Sequence, residues 1–317
     1  MRMSPSETAS PAAGPETDVG EFLSGCAREV NAFLDRALPP ETGPAATLAS
    51  AMRYAVLGGG KRIRPALAMA SAIAVGGARR DALPAAAALE MIHTYSLIHD
   101  DLPCMDDDDL RRGQPTVHVR YGQAIAVLAG DALHTLAFET VAGSGAPPEV
   151  RLGCVERLAA AAGPAGMVGG QVLDIEAANR TPDAPGLEAI HCGKTGALIA
   201  ASVALGALAG GGSVRQADAL AAFGRELGLV FQIVDDLLDE EQTSARLGKS
   251  AGKDRAAGKA TYPAIHGIEG ARAEASRRAE LARELLAAVG REPGPPVNSA
   301  GMRLLDALTD RILRRTA

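Results

Sequence analysis

The sequence predicts an all-α protein, and three observations support this class. Alanine and leucine, both strong helix formers, supply much of the 47% of residues that are hydrophobic. Aromatic residues make up only 3% of the chain and tryptophan is absent, which favours close packing of small side chains. Apolar residues recur at helical spacing along most of the chain. The net charge of -6 gives no reason to expect nucleic-acid binding.

The predicted helices follow one another with short connections. Pro39 and Pro40 end the first helix, and Pro84 is tolerated because it lies in the first turn of its helix. Glycines at 166–170 suggest a close-packed or kinked helix, and a loop is predicted at about 178–186. The predicted helices cover 20–38, 44–57, 66–77, 82–102, 119–142, 149–163, 166–174, a run from 191, a run ending at 231–239, 264–289 and 300–315.

The composition of the chain ends and the cysteines bear on location. Residues 1–18 are rich in Ser, Pro, Ala and Glu and are predicted to be a disordered tail, while 19–317 should form a single all-helical domain. The tail resembles neither a signal nor a transit peptide. Four widely spaced cysteines indicate reduced thiols. We expect a cytoplasmic protein without a membrane span, because the most apolar run, 197–212, is shorter than the ~20 residues that a span needs.

An acidic cluster at 100–109 carries six carboxylates in ten residues. Like charges this close cannot all stay ionised without a counter-charge, and a bound cation is the simplest one. The donors are hard oxygens in a pattern unlike an EF-hand, so Mg²⁺ or Ca²⁺ is favoured over Zn²⁺. Asp100 and Asp106 would not share a face of a straight helix, but Pro103 can break the helix and let Asp106 fold back. A solvated acidic loop is the alternative.

A second acidic cluster lies at 235–239. Asp235 and Asp239 are four residues apart, which places them one turn apart on the same face of a helix. Each cluster comes at the end of an apolar helical run. We therefore expect helix-borne carboxylates from the two clusters to face one cavity.

Basic residues lie next to glycine in two places. The glycines at 58–60 let the backbone approach a ligand, and three cations, Lys61, Arg62 and Arg64, follow at once, which is typical of a phosphate-binding turn before a helix. The segment is not a P-loop, and plain basic surface is the alternative. Arg111 and Arg112 follow the first acidic cluster and suit bidentate phosphate recognition. Their alternative is a basic turn that only offsets the acids.

Three further features complete the candidate site. His93 lies seven residues before Asp100 on the same helix face, which favours a ligand-binding role over that of a satisfied core histidine. Lys194 stands at an otherwise apolar junction and should point towards a polar group. The Gly- and Lys-rich segment 247–263 is predicted to be a mobile lid, with a solvated linker as the alternative.

Six segments together carry a resemblance to a known family. They are GGGKRIRP at 58–65, HTYSLIHDDLPCMDDDDLRRGQPTVH at 93–118, GMVGGQVLD at 166–174, GKTGAL at 193–198, FQIVDDLLD at 231–239 and GKATYP at 258–263. The chain resembles the trans-polyprenyl diphosphate synthases, and most closely the bacterial farnesyl diphosphate synthases, from about residue 50 to 265. The departures touch no charged position of these motifs; Val117, for example, stands where a cysteine is frequent.

The resemblance implies an isoprenoid-synthase helical bundle around a central active-site cavity, usually as a homodimer. It also implies three Mg²⁺ ions, two held by Asp100 and Asp106 and the third by Asp235. Asp101, Asp236 and Asp239 would support these ligands. Mg²⁺ is preferred to Ca²⁺ because phosphate-bridging sites combine a few carboxylates with water and substrate oxygens.

The resemblance further implies two substrates, isopentenyl diphosphate and an allylic diphosphate such as dimethylallyl or geranyl diphosphate. These would condense head-to-tail with loss of pyrophosphate, which is thought to act as the base in this family. Lys194, Thr195 and Gln232 would be the catalytic residues, the last two beside the developing allylic cation. The implied ligands of the allylic diphosphate are Arg111, Lys194, Lys249 and Lys259. The implied ligands of isopentenyl diphosphate are Gly60, Lys61, Arg64, His93 and Arg112.

Product length depends on the helix before the first acidic cluster. Ser96 lies one turn before Asp100, and Tyr95 adjoins it. In the family, bulk here limits the growing tail. Tyr95, with two extra residues inside the first Asp motif, resembles enzymes that stop at farnesyl diphosphate (C15). Geranylgeranyl diphosphate (C20) is the alternative, and an ordinary core role for Tyr95 would leave the length open. A terpene cyclase and a non-catalytic partner subunit are the rival functions.

Overall fold

The computed structural model describes residues 15–177, 183–247 and 261–315, and in these ranges it confirms the all-α fold. One two-stranded ribbon, Leu110–Arg111 with Gln114–Pro115, interrupts the helices. The helices are α1 Pro15–Ala37, α2 Ala46–Leu57, α3 Ile63–Ala74, α4 Leu83–Asp100, α5 Val117–Tyr121, α6 Gln123–Ala142, α7 Pro148–Ala162, α8 Met167–Ala177, α9 Ala184–His191, α10 Ala197–Ala209, α11 Val214–Leu247, α12 Tyr262–Ala288 and α13 Ser299–Leu313.

The core is centred on α10, which is apolar on all sides and therefore buried. It packs against α3, α4, α7 and α11, while α11 also packs against α12 and α4 against α6. Glycine allows the closest of these contacts: a Cβ at Gly206 would overlap the carbonyl oxygen of Ala68 in α3. The predicted close packing of small side chains is thus the way in which the central helices meet. The C-terminal end of α4 and the middle of α11 carry the two acidic clusters.

The structure corrects three predicted boundaries. The helix α1 begins at Pro15, so residues 15–18 of the predicted disordered tail are helical, while 1–14 lie outside the described residues. The helix predicted at 119–142 is two helices, α5 and α6, separated at Gly122, whose φ is 86°. The loop predicted at 178–186 is wrong at its end, because α9 begins at Ala184.

Within 15–177, 183–247 and 261–315, two helical stretches are long and apolar enough to cross a membrane by length and composition alone, Gln123–Ala142 and Ala184–Ala209. In the second, 67% of the most apolar window is buried inside the bundle, as expected of a core helix. In the first, 33% is buried.

Arg62, the residue before α3, fixes the Gly-rich turn to the bundle. Its backbone is left-handed, with φ 49° and ψ 37°, and its side chain is only 2% exposed. The guanidinium Nε donates to Asn31 Oδ1 at 2.9 Å, Nη1 to Glu90 Oε1 at 2.5 Å and Nη2 to the Val56 carbonyl oxygen at 2.6 Å. One side chain therefore joins α1, α2 and α4 directly beside Gly60 and Lys61.

We expect Arg62→Met to lower the free energy of unfolding by about 3–5 kcal/mol, because it leaves the buried Glu90 carboxylate without its partner. The double variant Arg62→Met/Glu90→Leu should recover much of this loss, since it buries no lone charge. Urea denaturation followed by circular dichroism measures both.

Arg80→Met is the matched control for this experiment. The Arg80 side chain is 87% exposed, so its loss should change the free energy of unfolding by less than about 0.5 kcal/mol. Equal midpoints for Arg62→Met and Arg80→Met would contradict the anchoring role of Arg62.

Candidate active site

The first acidic cluster turns back on itself as the sequence predicts. The helix α4 ends at Asp100, and Pro103 lies in the turns that follow. The amide of Asp106 donates to the carbonyl oxygen of Asp100 at 2.8 Å, and that of Met105 donates to Leu102 at 2.8 Å. The backbone of Asp106 is thereby brought beside the end of α4, so both acids lie at one site.

The carboxylates at the end of α4 differ in their partners. Asp101 is buried and accepts three short hydrogen bonds from Arg111, two from Nε at 2.8 and 3.0 Å and one from Nη2 at 2.5 Å. Burial raises the pKa of Asp100 to about 6, against an opposing effect of Lys194 and with a further increase from Asp106. The charged form of Asp100 is therefore disfavoured even with Lys194 and Arg111 nearby. Further positive charge beside Asp100 would stabilise that form.

The second acidic cluster lies within the continuous helix α11. Burial raises the pKa of Asp235, and the charges of Arg315 and Lys61 oppose that increase while Asp239 adds to it. Arg315 Nη1 lies 2.9 Å from Asp235 Oδ1. The clusters thus each combine half-buried acids with basic groups from distant parts of the chain.

Asp236 orients the two polar groups that are expected to face the reacting carbon. Its Oδ1 accepts from Gln232 Nε2 at 3.0 Å, and its Oδ2 accepts from the amide of Tyr262 at 3.0 Å. Gln232 Oε1 in turn accepts from the Thr195 hydroxyl at 2.9 Å. These hydrogen bonds fix the Gln232 amide with its oxygen towards Thr195. Both Asp236 oxygens accept a hydrogen bond, one from Gln232 and one from the Tyr262 amide.

Lys194 and Thr195 lie in a π-helical turn, Cys192–Gly196, between α9 and α10. Turns of this kind are frequent at functional sites. Gly170 of α8 makes the turn possible, because a Cβ there would overlap the Lys194 amide nitrogen. Lys194 Nζ lies 2.6 Å from Asp174 Oδ2, which also belongs to α8. The α8 helix therefore positions both the backbone and the side chain of Lys194.

A separate basic region surrounds the Gly-rich turn. Gly60 has φ 141°, and a Cβ added to it would lie 3.2 Å from the Arg112 guanidinium. Arg112 itself has φ 55° and donates to the carbonyl oxygen of Gly59. Arg64 Nε is buried without a hydrogen-bond partner among the described residues, and burial lowers the pKa of Arg64. Lys61 is exposed at the edge of the same region.

His93 lies among these cations rather than among the acids. Burial lowers its pKa well below 6.5, and the charges of Arg64 and Arg112 lower it further. The imidazole is therefore neutral at pH 7, when it can offer one hydrogen-bond donor and one acceptor.

The two regions adjoin each other, since charges of one act on groups of the other. Arg64 feels the charge of Asp235, and Asp235 feels that of Lys61. Lys194 acts on Asp100. These interactions place the two acidic clusters, Lys194 and the basic region next to one another in the described part of the chain. Lys249 and Lys259, with the predicted lid, lie outside the described residues.

The residues predicted to limit product length lie between α4 and α6. Tyr95 is 8% exposed, and its ring packs edge-on against His134 at 5.0 Å and His99 at 5.5 Å between ring centres. The Ser96 hydroxyl donates to the carbonyl oxygen of His93 in its own helix at 2.8 Å. Tyr95 therefore supplies bulk next to Ser96, five residues before Asp100, and packs against His134 of α6.

Sequence reasoning missed His134, Asp174 and Arg315 as residues of this region. Asp174 ends the segment 166–174, and an acid on a helix with no assigned partner was a usable signal. His134 and Arg315 act through tertiary contacts that no local pattern indicates. Arg62, predicted as one of three cations of the phosphate-binding turn, is instead buried against Glu90.

A sequence profile of the family described as polyprenyl synthetase matches residues 45–289. The chain belongs to the polyprenyl synthetase family. A farnesyl diphosphate synthase of Geobacillus stearothermophilus is 47% identical over 86% of this chain and 92% of its own length. Geranylgeranyl pyrophosphate synthase 9 of Arabidopsis thaliana, a chloroplastic protein, is 49% identical over 82% of this chain and 73% of its own length.

Solved structures agree with the family assignment. A farnesyl/geranylfarnesyl diphosphate (FPP/GFPP) synthase of Zymomonas mobilis superposes with a TM-score of 0.81 at 38% identity, over 94% of this chain and 99% of that one. The chain is thus a prenyltransferase with the all-helical isoprenoid synthase fold. The two relatives and the solved structure are named for products of different lengths, so their names do not indicate a single product for the family.

The neutral state of His93 can be checked by NMR. We expect its imidazole signal, identified by its loss in His93→Gln, to stay unshifted from about pH 8 to about pH 5.5. The unfolded chain would take up a proton near 6.5 and the folded His93 would not, so this residue lowers stability as the pH falls below 6.5. Added N-acetylhistidine is the control and titrates near ~6.5. An inflection near 6.5 for His93 would contradict the assignment.

Proposed function

We propose that this polyprenyl synthetase condenses isopentenyl diphosphate with an allylic diphosphate, dimethylallyl or geranyl, and releases pyrophosphate. One observation carries the proposal: the site has two ionic regions of different make-up side by side. The acidic region contains Asp100, Asp106 and Asp235 with Lys194. The basic region, around Gly60, contains cations and the neutral His93. Two diphosphates, one bound with metal ions and one without, suit this division.

The acidic region suits Mg²⁺. Its donors are carboxylate oxygens, which Mg²⁺ prefers. Burial raises the pKa of Asp100 and the Asp106 charge adds to that increase, so a bound cation would stabilise the charged form of Asp100. Asp100, Asp106 and Asp235 would hold the ions, and three are expected. Among the described residues no three His, Cys, Asp or Glu side chains converge on one point, so diphosphate oxygens would complete the coordination. Mg²⁺, when bound, would neutralise charge on the leaving pyrophosphate.

The protein's own groups would bind and orient the allylic substrate. Lys194 is held at 2.6 Å by Asp174 and can donate its remaining protons to diphosphate oxygens. Arg111 uses Nε and Nη2 on Asp101, which leaves Nη1 outside those bonds. Both cations are therefore fixed before substrate arrives, and fixed charges stabilise developing charge without the cost of reorganisation. Lys249 and Lys259 are proposed to add to this set.

The basic region would hold isopentenyl diphosphate. Arg64 has a buried Nε without a partner among the described residues, and Arg112 lies against Gly60. Guanidinium groups suit bidentate binding of phosphate oxygens, and Lys61 would add a point charge. Neutral His93 can donate one hydrogen bond to the same diphosphate without adding charge.

Thr195 and Gln232 would face the developing allylic cation. Gln232 donates to Asp236 and Thr195 donates to Gln232, so the side-chain oxygens of both residues are held in place. Fixed dipoles of this kind stabilise positive charge in a site that excludes water. No side-chain nucleophile is required, and the departing pyrophosphate is proposed to take the proton.

We propose C15 as the product length, with C20 as the second candidate. Tyr95, packed against His134, supplies a bulky side chain at the position that would limit the tail. The Geobacillus stearothermophilus relative is named for C15, and the Arabidopsis thaliana relative for C20. A terpene cyclase would have no use for the basic region, and a non-catalytic subunit would not need both sets of charges.

We propose further that the protein acts as a homodimer. Large apolar side chains are exposed on neighbouring helices α6, α7 and α8, as is typical of a surface that a second copy covers. They are Val127, Leu128, Leu152, Val168, Val172 and Leu173. A cytoplasmic location stays a prediction.

Metal ligation can be tested with Asp100→Ala and Asp235→Ala. We expect each to lower turnover by roughly 100-fold or more, because a proposed cation ligand is lost. The thermal midpoint should not fall, since each change relieves like-charge repulsion. The control is Asp109→Ala, an exposed acid of the same run, with near-wild-type turnover expected. Wild-type activity in Asp100→Ala or Asp235→Ala would show that the assignment is wrong.

Product length can be tested by chromatography of dephosphorylated products. Protein, Mg²⁺, isopentenyl diphosphate and dimethylallyl diphosphate should give a C15 alcohol. Tyr95→Ala should extend the product to C20 or longer, while Tyr95→Phe, which keeps the bulk, should still give C15. A C20 product from the wild type would overturn the proposed length and keep the reaction. The absence of any elongation would favour a cyclase or a partner subunit.

A further inference from the structure

Arg315 makes a contact with the second acidic cluster that the proposed reaction does not explain. It follows α13, and its Nη1 lies 2.9 Å from Asp235 Oδ1. Its guanidinium also stacks over the Phe231 ring, 4.6 Å from the ring centre. The Arg315 side chain is 18% exposed. The guanidinium thus lies between a carboxylate and an aromatic face of α11, while its Nε and Nη1 make no hydrogen bond among the described residues.

Asp235 and Asp236 are neighbouring carboxylates, and Arg315 contacts Asp235. Asp236 has both oxygens in hydrogen bonds, one to Gln232 and one to the Tyr262 amide. Asp236 therefore cannot turn towards a cation without breaking the line to Thr195. Among the described residues, Asp235 pairs with Arg315 and makes no such bonds to α12 or to Gln232.

A guanidinium and a divalent ion at one carboxylate compete with each other. The carboxylate has lone pairs for both, but two positive charges held a few ångströms apart repel each other. Binding of a metal ion to Asp235 is therefore opposed by Arg315, and movement of the guanidinium away from Asp235 relieves that repulsion.

We propose that Arg315 acts as a placeholder cation: it neutralises Asp235 in the metal-free protein and is displaced when a divalent ion binds there. This inference rests on the proposed function, which makes Asp235 a metal ligand. The placeholder keeps the acids of α11 balanced before substrate arrives. It also weakens binding of the ion at Asp235, because the ion has to replace an existing partner.

The neighbouring residue provides a matched control. Arg314 carries the same charge, but its side chain is 71% exposed and points to Asp310, 3.9 Å away. Changing Arg314 to Gln alters the net charge as Arg315→Gln does, without touching Asp235. A difference between the two variants reports the contact itself rather than the charge of the chain end.

The test is a Mn²⁺ titration followed by electron paramagnetic resonance, with inorganic pyrophosphate present at saturation. It counts bound ions and gives their affinities without any turnover. We expect Arg315→Gln to tighten the weakest Mn²⁺ site by about three- to tenfold, the size of effect that a partly exposed ion pair supplies. Arg314→Gln should match the wild type, and Arg315→Lys should lie between the two.

A fourth variant separates the two ways in which this can fail. Asp235→Asn should lose one bound Mn²⁺. If it binds as many ions as the wild type, the metal assignment of Asp235 in the proposed function is wrong. If Asp235→Asn loses an ion but Arg315→Gln binds Mn²⁺ no more tightly than Arg314→Gln does, the placeholder role is overturned and the metal assignment stands.

Discussion

Crowding of carboxylates in a half-buried site is the constraint on which the rest of the structure depends. Burial and neighbouring acids both disfavour the charged form of Asp100, and burial does the same for Asp235. The fold answers by bringing cations from distant parts of the chain, Lys194 on one side and Arg315 on the other. These cations stabilise the charged carboxylates only in part, so additional positive charge would stabilise them further. Metal ions that bind together with a diphosphate would supply that charge.

Much of the bundle could be predicted because its helices carry a strong apolar period and clear breakers. The return of Asp106 to the end of α4 was also predictable, since Pro103 cannot continue the helix. The π-helical turn that presents Lys194 was not, because it depends on the approach of Gly170 from α8. The start of α9 did have a local signal: the Asp183 side chain accepts from the Gly186 amide at 2.9 Å, as an N-cap does.

The sequence predicts the residues of the candidate site better than it predicts the contacts that hold them. Motif residues such as Thr195 and Gln232 stand out in the sequence, yet the bond between them spans two helices. Arg315 makes its contact 80 positions along the chain from Asp235, with no pattern to indicate it. Local spacing specifies which groups are available, and only the packing of helices specifies which of them meet.

The burial of Arg62 changes how the Gly-rich turn appears to a ligand approaching from solution. The motif shows three cations in sequence, but Arg62 lies inside the protein against Glu90, where the pair has no net charge. Of these three cations, only Lys61 and Arg64 then add to the long-range field that attracts an anion at this turn, together with Arg112 beside Gly60. The ionic-strength dependence of substrate association at the turn should therefore reflect two of the motif's three positive charges.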